Sequence, residues 1–132
     1  IADMRKTVED LRATNDPAFG ATATRLAEAL ASFERATEYM LEKLGSAPQD
    51  ALAGATPYMR LFGLVRGGAT LGAVGLIAHR KRAAGETDPA HAARIATARF
   101  FAENVVVTAG GLETTITGAA ESVLTADLAL AS

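Results

Sequence analysis

Leu61-Phe62-Gly63-Leu64-Val65-Arg66-Gly67-Gly68-Ala69-Thr70-Leu71-Gly72-Ala73-Val74-Gly75-Leu76-Ile77-Ala78 is a run of 18 residues in which Arg66 alone is charged. Its length approaches that of a membrane span, which needs about 20 mostly lipid-compatible residues. The glycine density, and a charge one third of the way along, instead suit a helix buried inside a helical bundle. Gly63, Gly67, Gly68, Gly72 and Gly75 each weaken an exposed helix by about 1 kcal/mol relative to alanine. A helix that keeps five of them must gain something in return. The four-residue spacings Gly63 to Gly67 and Gly68 to Gly72 clear a strip along which another helix can approach, either from this chain or from a second copy. From Ala51 to Gly85 the segment carries Arg60, Arg66, Arg80, Lys81 and Arg82 and no acidic residue. The three basic residues near its end complement the negative pole of a helix dipole.

Helix boundaries follow on both sides. Asp16-Pro17 and Asp88-Pro89 repeat one start signal, an aspartate able to cap free amides followed by a proline at the first helical position. Gly45 and Gly85 are stop signals. Ser46 and Gln49 have the spacing of a capping box, and Pro57 predicts a kink or a later helix start. The expected elements are a short helix near residues 2 to 14, long helices near 17 to 44, 47 to 84 and 89 to about 120, and a short helical tail from Ser122. In the second helix Phe19, Ala23, Leu26, Leu30, Phe33, Thr37, Met40 and Leu44 alternate steps of four and three. Ile95, Ala98, Ala102, Val105, Ala109, Leu112, Ile116 and Ala119 do the same in the fourth. A repeat of 3.5 residues makes a narrow seam for shallow crossing angles. The fold class read from the sequence is therefore all-α: an antiparallel up-down helical bundle of three long helices plus a short N-terminal helix.

Composition agrees with one domain over residues 1 to 132. With 30 alanines, five phenylalanines, two tyrosines and no tryptophan, the core must be built from small side chains. A chain of this size buries roughly two thirds of its unfolded surface, enough for one core. Fifteen acidic against 13 basic side chains provide no broad positive field for nucleic acid. The absence of cysteine excludes disulfides, thiol nucleophiles and thiolate metal sites. No membrane partner is expected, a cytoplasmic location is, and the first residues lack the apolar segment of a signal peptide. Because the sequence starts at Ile1 rather than methionine, we expect a piece of a longer protein.

Candidate chemistry is sparse. His79 and His91 have no carboxylate three residues before them, so the Glu-x-x-His pattern of di-iron bundles is missing. His79 is expected at the basic end of its helix and His91 in an exposed first turn. There is no Gly-x-Ser-x-Gly, and the glycines of the third helix lie inside a helical pattern rather than in a phosphate-binding loop. Glu34, Glu38 and Glu42 read as a solvated stripe near Arg35 and Lys43. Arg60, Arg66 and Arg99 lie in apolar neighbourhoods. They are expected to pair with carboxylates such as Glu38 or Glu103; the competing expectation is that one of them meets an anionic ligand or a subunit interface. The candidate packing or interface residues are Arg60, Phe62, Gly63, Arg66, Gly67, Gly68, Gly72, Arg99, Phe100 and Glu103. No catalytic, cofactor-binding or metal-binding residue is assigned.

Two segments resemble a known family. Pro57-Tyr58-Met59-Arg60-Leu61-Phe62-Gly63-Leu64-Val65, followed by Gly67-Gly68, and Ile95-Ala96-Thr97-Ala98-Arg99-Phe100-Phe101-Ala102-Glu103-Asn104 are similar to the domain that follows the catalytic module in a branch of the acyl-CoA dehydrogenases, enzymes resembling 3-methylmercaptopropionyl-CoA dehydrogenase. The likeness runs from the first helix to about Ala120. It departs at Ala69, where the family often has a large aromatic residue, and at Phe101 and Asn104, where it often has Tyr and His. The resemblance implies a parent flavoenzyme that removes hydrogens from Cα and Cβ of an acyl thioester and passes hydride to FAD and then to an electron-transfer flavoprotein. It implies that FAD, acyl-CoA and the proton-abstracting glutamate belong to an upstream catalytic module. This chain would then be a non-catalytic helical domain that packs on that module and supports a homo-oligomer. The alternative is an independent module binding an anionic or apolar ligand between helices, near Arg60, Arg66 and Phe62.

Overall fold

The computed structural model describes residues 1 to 131, with the side chains of 127 to 129 outside the description. Six α-helices follow in order: α1 (Ala2–Thr14), α2 (Thr22–Ser46), α3 (Pro48–Ala83), α4 (Pro89–Asn104), α5 (Ala109–Gly118) and α6 (Ala120–Leu130). Short 3-10 turns at Pro17–Phe19 and Val106–Thr108 interrupt them, and the described residues contain no strand. The bundle expected from the 3.5-residue repeat is the observed architecture.

Both aspartates cap as expected, but only Asp88-Pro89 opens a long helix; Asp16-Pro17 opens the Pro17–Phe19 turn, and α2 begins at Thr22. Asp16 Oδ1 accepts from the Ala18 amide at 2.8 Å, and Asp88 Oδ1 accepts from the Ala90 amide at 2.9 Å. Gly85, at φ +94°, follows the end of α3, where only glycine avoids a steric penalty. The expected capping box does not form. Ser46 is the last residue of α2 and its hydroxyl donates to the Glu42 carbonyl at 2.9 Å, so Ala47 alone joins α2 to α3. Pro57 lies within α3, whose first position belongs to Pro48.

Two of the expected long helices are broken. The segment from residue 17 halts at Gly20, whose φ of +50° and ψ of −128° lie outside the helical region. The helix expected to run from 89 to about 120 stops at Asn104 and resumes at Ala109. Three consecutive valines, 105 to 107, are stiff at χ1 and mildly disfavour helix. The turn they form drives Val106 fully into the core. The seam survives the interruption, since Ile95, Ala98, Ala102, Ala109 and Ile116 remain buried on either side of it.

One continuous core joins α1 (Met4, Val8, Leu11), α2 (Leu26, Leu30, Phe33), α3 (Leu61, Val65, Leu76) and the α4–α5 arm (Ile95, Val106, Ile116). α3 is the one helix among the described residues long and apolar enough to cross a membrane, yet its glycine-rich face is covered by the other helices. A Cβ on Gly68 would meet Leu26 Cδ2 at 2.6 Å and Val106 Cγ2 at 2.8 Å; one on Gly72 would meet Leu11 Cδ1 at 3.0 Å; one on Gly75 would meet Phe19 at 2.9 Å. The strip therefore accepts α1, the Pro17–Phe19 turn, α2 and Val106 of this same chain. Gly63 differs, because a Cβ there would meet nothing within 4 Å.

Candidate interaction site

The singled-out residues divide between two surfaces. The first is the outer face of α3. Arg66 Nη1 donates to Asp3 Oδ2 of α1 at 2.6 Å, and this guanidinium holds the Asp3 carboxyl below its ordinary pKa. Both partners are at least half exposed, so the pair orients α1 on α3 more than it stabilises. Phe62, 40% exposed, leans on Phe33 with ring centroids 5.7 Å apart. Phe33 also stacks on Tyr58 at 5.5 Å. Arg60 is exposed and makes no ion pair with the described residues. Gly67 touches the edge of the Phe101 ring, 3.6 Å from where its Cβ would be.

The second surface lies where α4 crosses the start of α2. Arg99 Nε donates to Glu103 Oε1 at 3.1 Å, and the same oxygen accepts from the Ala21 amide at 2.9 Å. The Ala21 amide is the chief reason the Glu103 carboxyl titrates below its usual range, with Arg99 adding to the effect. Together the two side chains close over Gly20, where any Cβ would collide with them. This is a clasp: a carboxylate from α4 satisfies a free amide at the positive end of α2. Beside it runs an open groove of about 330 Å³ lined by Ala18, Arg82, Ala92, Ile95, Ala96, Arg99, Phe100, Glu103 and Asn104. Phe100 is 62% exposed there.

These charges do not converge on one anion. Arg66 and Arg99 line different cavities and each already faces a carboxylate. The sequence leads one to expect carboxylate partners such as Glu38 or Glu103 across the bundle for Arg60, Arg66 and Arg99 without assigning them; Arg99 meets Glu103 one turn away on α4 itself, Arg66 meets Asp3, 63 residues away in sequence and beyond any periodicity argument, and Glu38 pairs with none of the three. Glu34 accepts from Arg5 at 2.8 Å, and Glu38 and Glu42 are exposed, so the stripe is solvated as expected.

The histidines correct a second expectation. His91 is not in an exposed turn; its side chain is 3% exposed. Its Nε2 lies 2.8 Å from Glu86 Oε2 and its Nδ1 3.2 Å from Arg94 Nη1. Arginine can only donate, so Nδ1 accepts and Nε2–H donates to Glu86, lowering the Glu86 pKa. His79, at the end of α3, lies 3.0 Å from Asp16 Oδ2 and beside the Phe19 ring. These two bridges tie the α3–α4 loop and the α1–α2 loop at one end of the bundle. Among the described residues no three His, Asp or Glu side chains gather as metal ligands would, and no buried polar side-chain atom lacks a partner.

The polar groups thus serve the architecture, and the comparisons with known proteins give that architecture a family. Residues 1–127 match the family described as "Acetyl-CoA dehydrogenase C-terminal like". The chain belongs to this acyl-CoA dehydrogenase C-terminal family. A curated relative, 3-methylmercaptopropionyl-CoA dehydrogenase of Ruegeria pomeroyi, is 38% identical over 106 residues, which is 80% of this chain and 18% of that protein. The acyl-CoA dehydrogenase C-terminal domain described here therefore spans less than a fifth of that relative's length. No solved structure matches it.

The fit of this C-terminal domain to FAD can be judged from its own residues. Among the described residues there is no strand-to-helix glycine turn to cradle a pyrophosphate, and the groove beside the Glu103 clasp is open, with Arg82 and the Glu103-paired Arg99 at its rim. The residues present do not fit a flavin, and no chemical step is derived through one.

Proposed function

We propose that this chain is the non-catalytic C-terminal helical domain of an FAD-dependent acyl-CoA dehydrogenase, packing on an upstream catalytic module of the same polypeptide and supporting its oligomeric assembly. The observation that carries this reading is the family match over nearly the whole chain, to a fold in which the Asp3–Arg66, Asp16–His79 and Glu86–His91 bridges and the Glu103 clasp on Ala21 hold elements together. The α,β-dehydrogenation of an acyl-CoA thioester, the flavin and the transfer to an electron-transfer flavoprotein belong, in this reading, to the upstream module in the cytoplasm. What this chain contributes is a rigid surface: α3 is fixed from several sides by α1, α2 and the α4–α5 arm, so its outer face is presented with little freedom to rearrange.

The test is a comparison of the 132-residue chain with a longer polypeptide carrying the upstream module. The short chain should be colourless, should leave acyl-CoA unoxidised with an artificial electron acceptor, and should show no thermal shift with coenzyme A at millimolar concentration. The longer polypeptide should carry flavin. Stoichiometric flavin, or thioester oxidation, on the short chain alone would overturn the proposal. A thermal shift with coenzyme A would favour the ligand-binding alternative.

A further inference from the structure

The groove beside the Glu103 clasp presents a charge that the domain itself does not use. Its floor is apolar, formed by Ala92, Ile95 and Ala96, and Phe100 lines it with 62% of its surface exposed. Two guanidinium groups but one carboxylate border it. Arg99 reaches Glu103 through Nε alone, at 3.1 and 3.2 Å, so both its Nη groups lack a hydrogen-bond partner among the described residues. The neighbouring Arg80 and Lys81 reach Asp10 and Glu86, whereas Arg82 has no carboxylate within ion-pair distance among those residues. Asp16 lies near enough to Arg82 to feel its charge, but the Asp16 oxygens are engaged by the Ala18 amide and by His79. One uncompensated positive charge therefore sits beside an exposed aromatic ring.

We propose that this groove docks an acidic, apolar segment of the upstream catalytic module of the same polypeptide, with a carboxylate on Arg82 and the free Nη groups of Arg99 and an apolar side chain against Phe100. The inference rests on the functional reading above and names the surface and the chemistry of the contact which that reading requires.

The charge decides the chemistry of the occupant. A guanidinium offers a planar fork of donors that matches a carboxylate, and the face of Phe100 is best covered by an apolar group. A neutral or basic segment would cover Arg82 without pairing it, leaving a desolvated charge that costs more than the contact returns. Arg99 is held by Glu103, which is itself fixed on the Ala21 amide at 2.9 Å, so this side of the rim loses little freedom on docking. The small size decides the source. A groove of about 330 Å³ admits only a few side chains, far short of the roughly 1,200 Å² that separate proteins bury in a stable complex. A free partner would be held weakly. A tethered segment is present at an effective concentration in the millimolar range, so a weak contact suffices. The region matched in the Ruegeria relative is 18% of that protein, and the larger part outside it is ample to supply such a segment.

Arg82→Lys keeps the charge and supplies an amine that a carbodiimide couples to a carboxylate in direct contact. In the longer polypeptide carrying the upstream module, this variant should gain a cross-link from position 82 to an aspartate or glutamate upstream of Ile1. Peptide mass spectrometry should find it at a yield independent of protein concentration. In hydroxyl-radical footprinting of the unmodified longer polypeptide, Phe100 should react no more than twofold faster than Phe33, which is 5% exposed. Arg82→Glu should speed the Phe100 reaction at least fivefold with an unchanged circular dichroism spectrum. The absence of a cross-link, cross-links confined to residues 1 to 132, or cross-links between separate chains would each overturn the proposal. So would a Phe100 at least fivefold more reactive than Phe33 in the unmodified polypeptide, or a shielded Phe100 that Arg82→Glu leaves unchanged. None of these readouts depends on flavin. A flavin-free longer polypeptide that still shields Phe100 would sink the functional proposal alone, and a flavin-loaded one with Phe100 open would sink this inference alone.

Discussion

Replacing one glycine of α3 with alanine should stabilise or destabilise the fold according to which side of the helix it lies on. Gly63→Ala and Gly68→Ala make the same change five residues apart and carry the same intrinsic gain in helix propensity, about 1 kcal/mol. At Gly63 nothing opposes it, because the new methyl meets nothing within 4 Å. At Gly68 the methyl would lie 2.6 Å from Leu26 Cδ2 and 2.8 Å from Val106 Cγ2. Leu26 is 1% exposed and Val106 fully buried, so neither can swing into solvent. Valine also has little rotamer freedom with which to yield. Overpacking of this kind costs about 1 to 3 kcal/mol, which cancels or exceeds the propensity gain. The two variants should therefore differ by about 1 to 3 kcal/mol, or roughly 1 M in urea midpoint for a chain of this size. The measurement is urea unfolding followed by circular dichroism, with both variants at the same protein concentration. A Gly68→Ala variant as stable as Gly63→Ala would mean that Val106 and Leu26 do not close over α3 as described, and the account of the glycine strip would fall with it.

Two further outcomes follow from the bridges. The Glu103 carboxyl is held below its ordinary value of 4.5 by the Ala21 amide and Arg99, so its contribution is full above that value and is lost as pH falls through the lower folded value. Glu103→Gln should therefore be less stable than the parent at pH 7, with the gap in urea midpoint closing toward pH 3; a constant gap would refute the clasp. His91→Ala removes a ring that is 3% exposed and strips Glu86 and Arg94 of a shared partner, for about 2 kcal/mol or more. Thermal unfolding would register this as a drop of roughly 5 °C or more, whereas an unchanged midpoint would put His91 back in solvent.

Local chemistry was legible in the sequence. The two Asp-Pro starts and the stop at Gly85 depend on nothing beyond a few neighbouring residues, and the 3.5-residue repeat of α2 and the α4–α5 arm encodes a bundle whatever the partners are. The break at Val105 left a signal in its three valines, but the weight of a β-branched run in a helix depends on whether something rewards the interruption. Here the reward is a site over Gly68 for Val106, and Gly68 lies 38 residues earlier in the chain. His91 was misplaced for the same reason: its burial depends on the α3–α4 loop folding Glu86 back over the ring. The sequence by itself determined that this chain forms helices, where most of them begin, and that one of them must be approached closely along a glycine strip. Only the tertiary structure decided which glycines serve the chain's own core and which one faces outward, because helical periodicity assigns residues to a face but cannot say what lies against it.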